Sequence, residues 1–103
     1  MDEIHFTYIL ASKCRGALFV GTTDDLEGCV REHRLNQVEG LTSLYAIHQL
    51  VYYEYFDKAG PALLRERDIK RLPRCRKLHL IESVNPAWRD LFNEIELAAM
   101  SPA

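Results

Sequence analysis

A chain of 103 residues holds one domain with a modest core and leaves no room for a second. Its 48% hydrophobic and 27% charged composition excludes a disordered or fibrous chain, and its net charge of −2 argues against a surface that is basic throughout. No apolar run approaches the roughly 18 residues of a membrane span. The opening Met1-Asp2-Glu3-Ile4-His5 lacks an apolar signal core, so a cytoplasmic protein without a membrane partner is expected. Cys14, Cys29 and Cys75 are odd in number and form no Cys-x-x-Cys pair, which predicts free thiols rather than a zinc knuckle or a redox couple.

Residues 5–12 are rich in aromatic and β-branched types and predict a first strand. A polar turn with Gly16 folds the chain back onto a second strand, 17–22. Thr22, Thr23 and Asp24 each suit the N-cap of a helix reaching to about residue 34, with Leu26, Val30 and His33 on its inner face. Gly28 weakens that helix by roughly 1 kcal/mol relative to Ala. Residues 35–48 read as a long loop in which Tyr45 and Ile47 are candidate anchors, and loops of this length often carry function. Gln49 to Phe56 predicts the third strand.

Gly60-Pro61 marks a helix start, with Pro61 at its first position, and the helix extends to about Arg71 before Pro73 ends it. Ala62, Glu66 and Ile69 share one stripe, and a carboxylate on an apolar stripe needs a cation, a metal or a cleft. Residues 74–83 predict a further helix. Asn85-Pro86 reads as the cap and first turn of a last one carrying Trp88, Leu91, Phe92 and Ile95, with a fraying 101–103 tail. The order β-β-α-β-α-α-α is an α/β (α+β) arrangement, a small sheet flanked by helices, in a single domain with its core at about 4–96.

Charge is unevenly spread. Arg65, Arg67, Lys70, Arg71, Arg74, Arg76 and Lys77 stand against Glu66 and Asp68, a local charge of +5 that suits either a phosphate backbone or a solvated helix face. His5, His33, His48 and His79 have no zinc-site spacing. Cys29 and His33 are four apart on one helix, a possible nucleophile pair with nothing in the sequence to mark it as activated. Tyr8, His33, Glu66 and the basic run remain. Phosphodiester hydrolysis uses these types: a base for water, a carboxylate for a divalent cation, and cations for the charge that develops.

Taken in order, the hairpin, Gly21-Thr22-Thr23-Asp24-Asp25-Leu26, Arg31-Glu32-His33, Val38-Glu39-Gly40-Leu41-Thr42 with Tyr45, Leu50-Val51-Tyr52-Tyr53-Glu54, Arg65-Glu66 and Asn85-Pro86-Ala87-Trp88 resemble the small, single-domain GIY-YIG nuclease proteins of bacteria, UPF0213-like, over roughly residues 4–96. The resemblance implies a central three-stranded antiparallel sheet, DNA as substrate class and one Mg²⁺ or Mn²⁺. It gives Tyr8 the role of general base, His33 that of the helix histidine and Glu66 that of metal ligand. Two positions depart from the family pattern. Phe19 stands where the second motif has a tyrosine, although its Gly21 is kept. Cys29 stands where the family has a phosphate-contacting arginine, and neither Arg31 nor Arg34 reaches the same helix face at about 100° per residue. A thiol cannot replace a bidentate guanidinium. Each lost stabiliser of transition-state charge costs on the order of 10²–10³ in rate. The expectation is a nucleic-acid-binding protein with impaired or lost phosphodiesterase activity. An active metal-dependent DNA endonuclease and a non-catalytic protein-interaction module are the alternatives. Oligomeric state is left open between monomer and weak homodimer.

Overall fold

Strand β1 (His5–Ala11) lies between β2 (Leu18–Thr23) and β3 (Gln49–Phe56) and runs antiparallel to both. The computed structural model that establishes this describes residues 4–34 and 47–95. Most of the expected 35–48 loop, with Tyr45 and the 38–42 motif, and the 101–103 tail lie outside the described residues. Helix α1 (Leu26–Arg34) follows the hairpin; α2 (Ala59–Arg71) and α3 (Arg74–Val84) follow β3. The expected three-stranded antiparallel sheet flanked by helices is therefore observed.

Alternation along β1 creates two cores. Tyr8 and Leu10 face Leu26 and Val30 of α1, together with Leu50 and Phe92. Ile9 and Ala11 face Ile69 of α2, Ile81 of α3 and Trp88, with Val20 and Val51 beside them. Ile69 and Ile81 have no exposed surface, and burying each contributes about 1.5–3 kcal/mol. A register shift at Ile9/Leu10 lets the consecutive residues Val51 and Tyr52 lie on one face, as a β-bulge does. The second core also needs a polar anchor. Thr7, fully buried, donates to the Ala62 carbonyl at 2.7 Å and so fixes the first turns of α2 against β1.

The helix ends depart from expectation in three places. Asp25, rather than the three residues before it, caps α1: its Oδ1 accepts from the Gly28 N–H at 3.1 Å. A side chain at residue 28 would run into that carboxylate, so the glycine that weakens the helix also makes room for its cap. Helix α2 begins at Ala59, two residues ahead of Pro61. Asn85-Pro86 starts no helix. Asn85 closes α3 and is itself buried, donating to the Val51 and Arg89 carbonyls at 3.0 and 2.9 Å and accepting from the Arg89 N–H at 3.0 Å. The chain then passes a turn and Trp88, at φ 56°, before residues 92–95 turn helical. The Asn-Pro pair has the local chemistry of a cap, and the long-range bond from Asn85 to Val51 on β3 overrides it.

The hairpin tip is clamped to α3. Arg74 donates to the carbonyls of Arg15 and Gly16 at 2.6 and 2.8 Å. Arg15 grips Glu82 through two bonds of 2.9 and 3.0 Å, and Glu82 also accepts from the Trp88 indole at 2.7 Å.

Candidate active site

Tyr8 sits at the centre of β1, opposite Gly21 on β2 and Tyr53 on β3. Its ring lies over Gly21 so closely that a Cβ there would stand 2.6 Å from the hydroxyl. The glycine kept from the second motif is thus required by the tyrosine kept from the first. Tyr8 is only 3% exposed, and its hydroxyl meets the Cys29 sulfur at 3.0 Å. Burial pushes the phenol well above its ordinary value; the Cys29 bond and charge add to this, followed by the charges of Glu66 and Glu32. The thiol is also pushed up, again by burial first, with the bonds to Tyr8 and Thr23 opposing and Glu32 and Asp25 adding. Both shifts favour the protonated phenol and thiol.

Phe19 and His33 complete the group. The Phe19 ring lies 6.2 Å from that of Tyr8 and 5.2 Å from that of His33. His33 is buried, as the periodicity of α1 predicts, and its Nδ1 finds no hydrogen-bond partner among the described residues. Burial lowers the imidazole pKa, His48 adds to the effect and Glu32 opposes it. The structure thus brings Tyr8, Phe19, Cys29 and His33 together around Gly21.

Glu66 projects from α2, which packs on the other face of the sheet, yet its charge is among those that raise Tyr8. Its carboxylate is 22% exposed and pairs with Lys70 at 3.0 Å, so the cation that the apolar stripe called for is one turn along the same helix. Among the described residues no three His, Cys, Asp or Glu side chains converge as a metal cluster.

The basic run divides into two kinds of residue. Arg65 donates to both Glu54 oxygens at 2.9 and 3.2 Å, and Glu54 also accepts from the Tyr52 hydroxyl. Burial and that bond push the Tyr52 phenol up to about 12. Arg74 is occupied by the hairpin carbonyls. Arg67 stands 3.7 Å from Asp68. Arg67, Lys70, Arg71 and Arg76 are exposed and Lys77 is half-buried. The sequence reading passed over Glu32 and Thr23, which act on Cys29. The signal for Glu32 was its i, i+3 spacing from Cys29 on α1.

The model of the GIY-YIG catalytic domain matches residues 4–78. A UPF0213 protein of Staphylococcus saprophyticus is 40% identical over 82 residues, covering 79% of this chain and 96% of its own. One from Haloquadratum walsbyi is 37% identical, covering 80% and 91%. The solution NMR structure of a UPF0213 protein from Bacillus halodurans superposes with a TM-score of 0.55 at 23% identity, over 84% of this chain and 92% of that one, a likeness of fold. A sheet that seats a tyrosine over a motif glycine, a helix launched from the second strand and this set of relatives agree: the chain belongs to the GIY-YIG family, among its UPF0213 proteins.

Proposed function

We propose that this chain is a nucleic-acid-binding GIY-YIG protein, acting on DNA, whose phosphodiesterase activity is impaired or lost. The observation that carries the reading is the 3.0 Å contact between the Tyr8 hydroxyl and the Cys29 thiol. Hydrolysis needs a cation beside the hydroxyl to hold the developing charge, and a neutral, protonated thiol holds none. Phe19 adds no hydroxyl. Each deficit weighs on the order of 10²–10³ in rate, and the two share one site, so their effects need not multiply.

Binding rests on the basic run of α2 and α3. Arg67, Lys70, Arg71, Arg76 and Lys77 are the residues available for phosphates. Arg76 and Lys77 lie in the first turn of α3, where a cation opposes the helix dipole by about 0.3–1 kcal/mol each and a bound anion relieves the cost. Glu66 is the residue that would hold Mg²⁺ or Mn²⁺. A single part-exposed carboxylate meets the minimum such an ion requires when water and substrate phosphates supply the rest, and Lys70 competes for it. The ion would supply charge at the scissile phosphate.

The test joins a nicking assay to a binding assay. Supercoiled plasmid with Mg²⁺ or Mn²⁺ is expected to survive wild type and Glu66→Ala alike, while labelled DNA is bound with a steep salt dependence. The pair Cys29→Arg with Phe19→Tyr is expected to nick the plasmid in a Glu66-dependent manner. Robust cleavage by wild type, abolished by Glu66→Ala, overturns the loss of activity. Absence of salt-dependent binding overturns the nucleic-acid reading.

A further inference from the structure

We propose that the outer edge of β3, beyond Val51, pairs with the same edge of a second copy of this chain to form a weak two-fold dimer. β3 is an edge strand, hydrogen-bonded to β1 on one side. Its first residues are covered on the other side. The Leu50 carbonyl accepts from the Leu91 N–H at 2.7 Å, the Leu50 N–H donates to Asp90 at 3.2 Å, and the Val51 carbonyl accepts from Asn85 at 3.0 Å. Among the described residues no element other than β1 makes a backbone bond to residues 52–56.

The open stretch looks onto a groove of about 420 Å³, bounded by Tyr52, Tyr53 and Glu54 on one side and by Val84, Arg89 and Glu94 on the other. Consecutive strand residues point to opposite faces, so three in a row line one groove only when it runs along the edge of the strand. Past the bulge at Val51 the usual protections of a free edge are few. β3 has no proline, no lysine and one charge, Glu54, which Arg65 and Tyr52 already satisfy. Tyr55 and Val84 add apolar surface, at 58% and 65% exposed.

Charge selects the occupant. Arg89 and Glu94 stand 3.2 Å apart, more than half exposed, and Glu54 is paired with Arg65, so the charges in and beside the groove balance. That balance suits neither a phosphate backbone nor a strongly charged peptide. Under a two-fold axis it is self-complementary, since Arg89 of each copy can meet the opposite charge across the axis. Two antiparallel edges related by such an axis also satisfy one another's N–H and C=O groups. The pairing uses the side of β3 that faces away from β1 and stands independently of the function proposed above.

Sedimentation velocity on the full chain, from micromolar to millimolar protein at constant salt, tests this. The mass is expected to rise towards twice the monomer value, with amide exchange slowing at residues 52–56 as protein concentration increases. Tyr55→Lys and Val84→Glu, both on exposed side chains, are each expected to weaken association about tenfold or more. Arg89→Glu and Glu94→Arg are each expected to weaken it, and the two together to restore it. A monomer mass throughout overturns the proposal. So does a dimer indifferent to all four substitutions, or protection of the edge that is independent of concentration.

Discussion

Gly21→Ala tests whether β1 and β2 are built around the Tyr8 ring. The added Cβ would stand 2.6 Å from the Tyr8 hydroxyl, 2.8 Å from its Cζ and 3.0 Å from Cε1 of Phe19. Neither neighbour is a flexible chain end. The Tyr8 ring is rigid, 3% exposed and held by Cys29, so either the strands part or the ring tips away from the thiol. Overpacking of this kind costs about 1–3 kcal/mol. The lost hydrogen bond adds about 0.5–1.5 kcal/mol. Together these amount to about 1.5–4.5 kcal/mol, and a domain of this size loses about 4–8 °C in Tm per kcal/mol. A fall of at least about 6 °C is expected. Thermal and urea melts read it from Trp88, the only tryptophan, which lies in the core on the other face of the sheet. Gly60→Ala is the control: nothing lies within 4 Å of a Cβ there, and alanine in a helix is neutral or stabilising by up to about 1 kcal/mol. If Gly21→Ala melts with wild type, the Tyr8 ring does not cover Gly21 and the site geometry drawn from it is wrong.

Asn85→Ala leaves the Val51 and Arg89 carbonyls and the Arg89 N–H without their partner, at a cost of about 2–4 kcal/mol by urea denaturation, whereas an exposed cap residue would cost about 1. Burial holds His33 below its ordinary value of 6.5, so as pH falls the unfolded chain binds the proton first. Its contribution to stability is complete above that value and is lost as pH drops through the folded one. Urea melts of wild type should show this loss and those of His33→Gln should lack it; equal pH slopes for the two would refute the assignment. Substituting Arg71, Arg76 or Lys77 by Ala should each lower the log–log salt slope of DNA binding by about 0.9, with unfolding unchanged. Arg65→Ala should instead destabilise the fold by removing the partner of Glu54, and a reversed pattern in the two assays would show that the roles are exchanged.

The sequence made local features plain and long-range ones hidden. β3 is legible at both ends because Gln49 to Phe56 is a continuous β-prone run. The inner face of α1 follows from the spacing of Leu26, Val30 and His33, all of which are buried. Glu66 on its apolar stripe called for a cation, a metal or a cleft, and the structure shows it paired with Lys70. Contacts between distant segments were beyond such reasoning. Nothing near Arg74 announces that its guanidinium caps carbonyls 58 and 59 residues away, and nothing near Arg65 points to Glu54. The Asn85-Pro86 pair failed for the same reason, since Asn85 is drawn to the Val51 carbonyl on β3. At the site, Tyr8, Phe19, Cys29 and His33 were each recognisable as positions. Their meeting around one glycine, with the phenol touching the thiol, is a product of the folded sheet.

That contact also makes the site chemically addressable. Cys14 and Cys75 are exposed and Cys29 is half-buried, so a Cys14→Ser/Cys75→Ser protein carries one thiol, beside Tyr8. A bromoalkylamine converts such a thiol into a thioether ending in an ammonium, a side chain close to lysine in length. The raised pKa of Cys29 makes the reaction slow at neutral pH and faster as the solution is made alkaline. Charge can thus be returned beside Tyr8 after folding, in stages and on one batch of protein. The electrostatic requirement of the reaction is then separated from the effect of a new residue on folding.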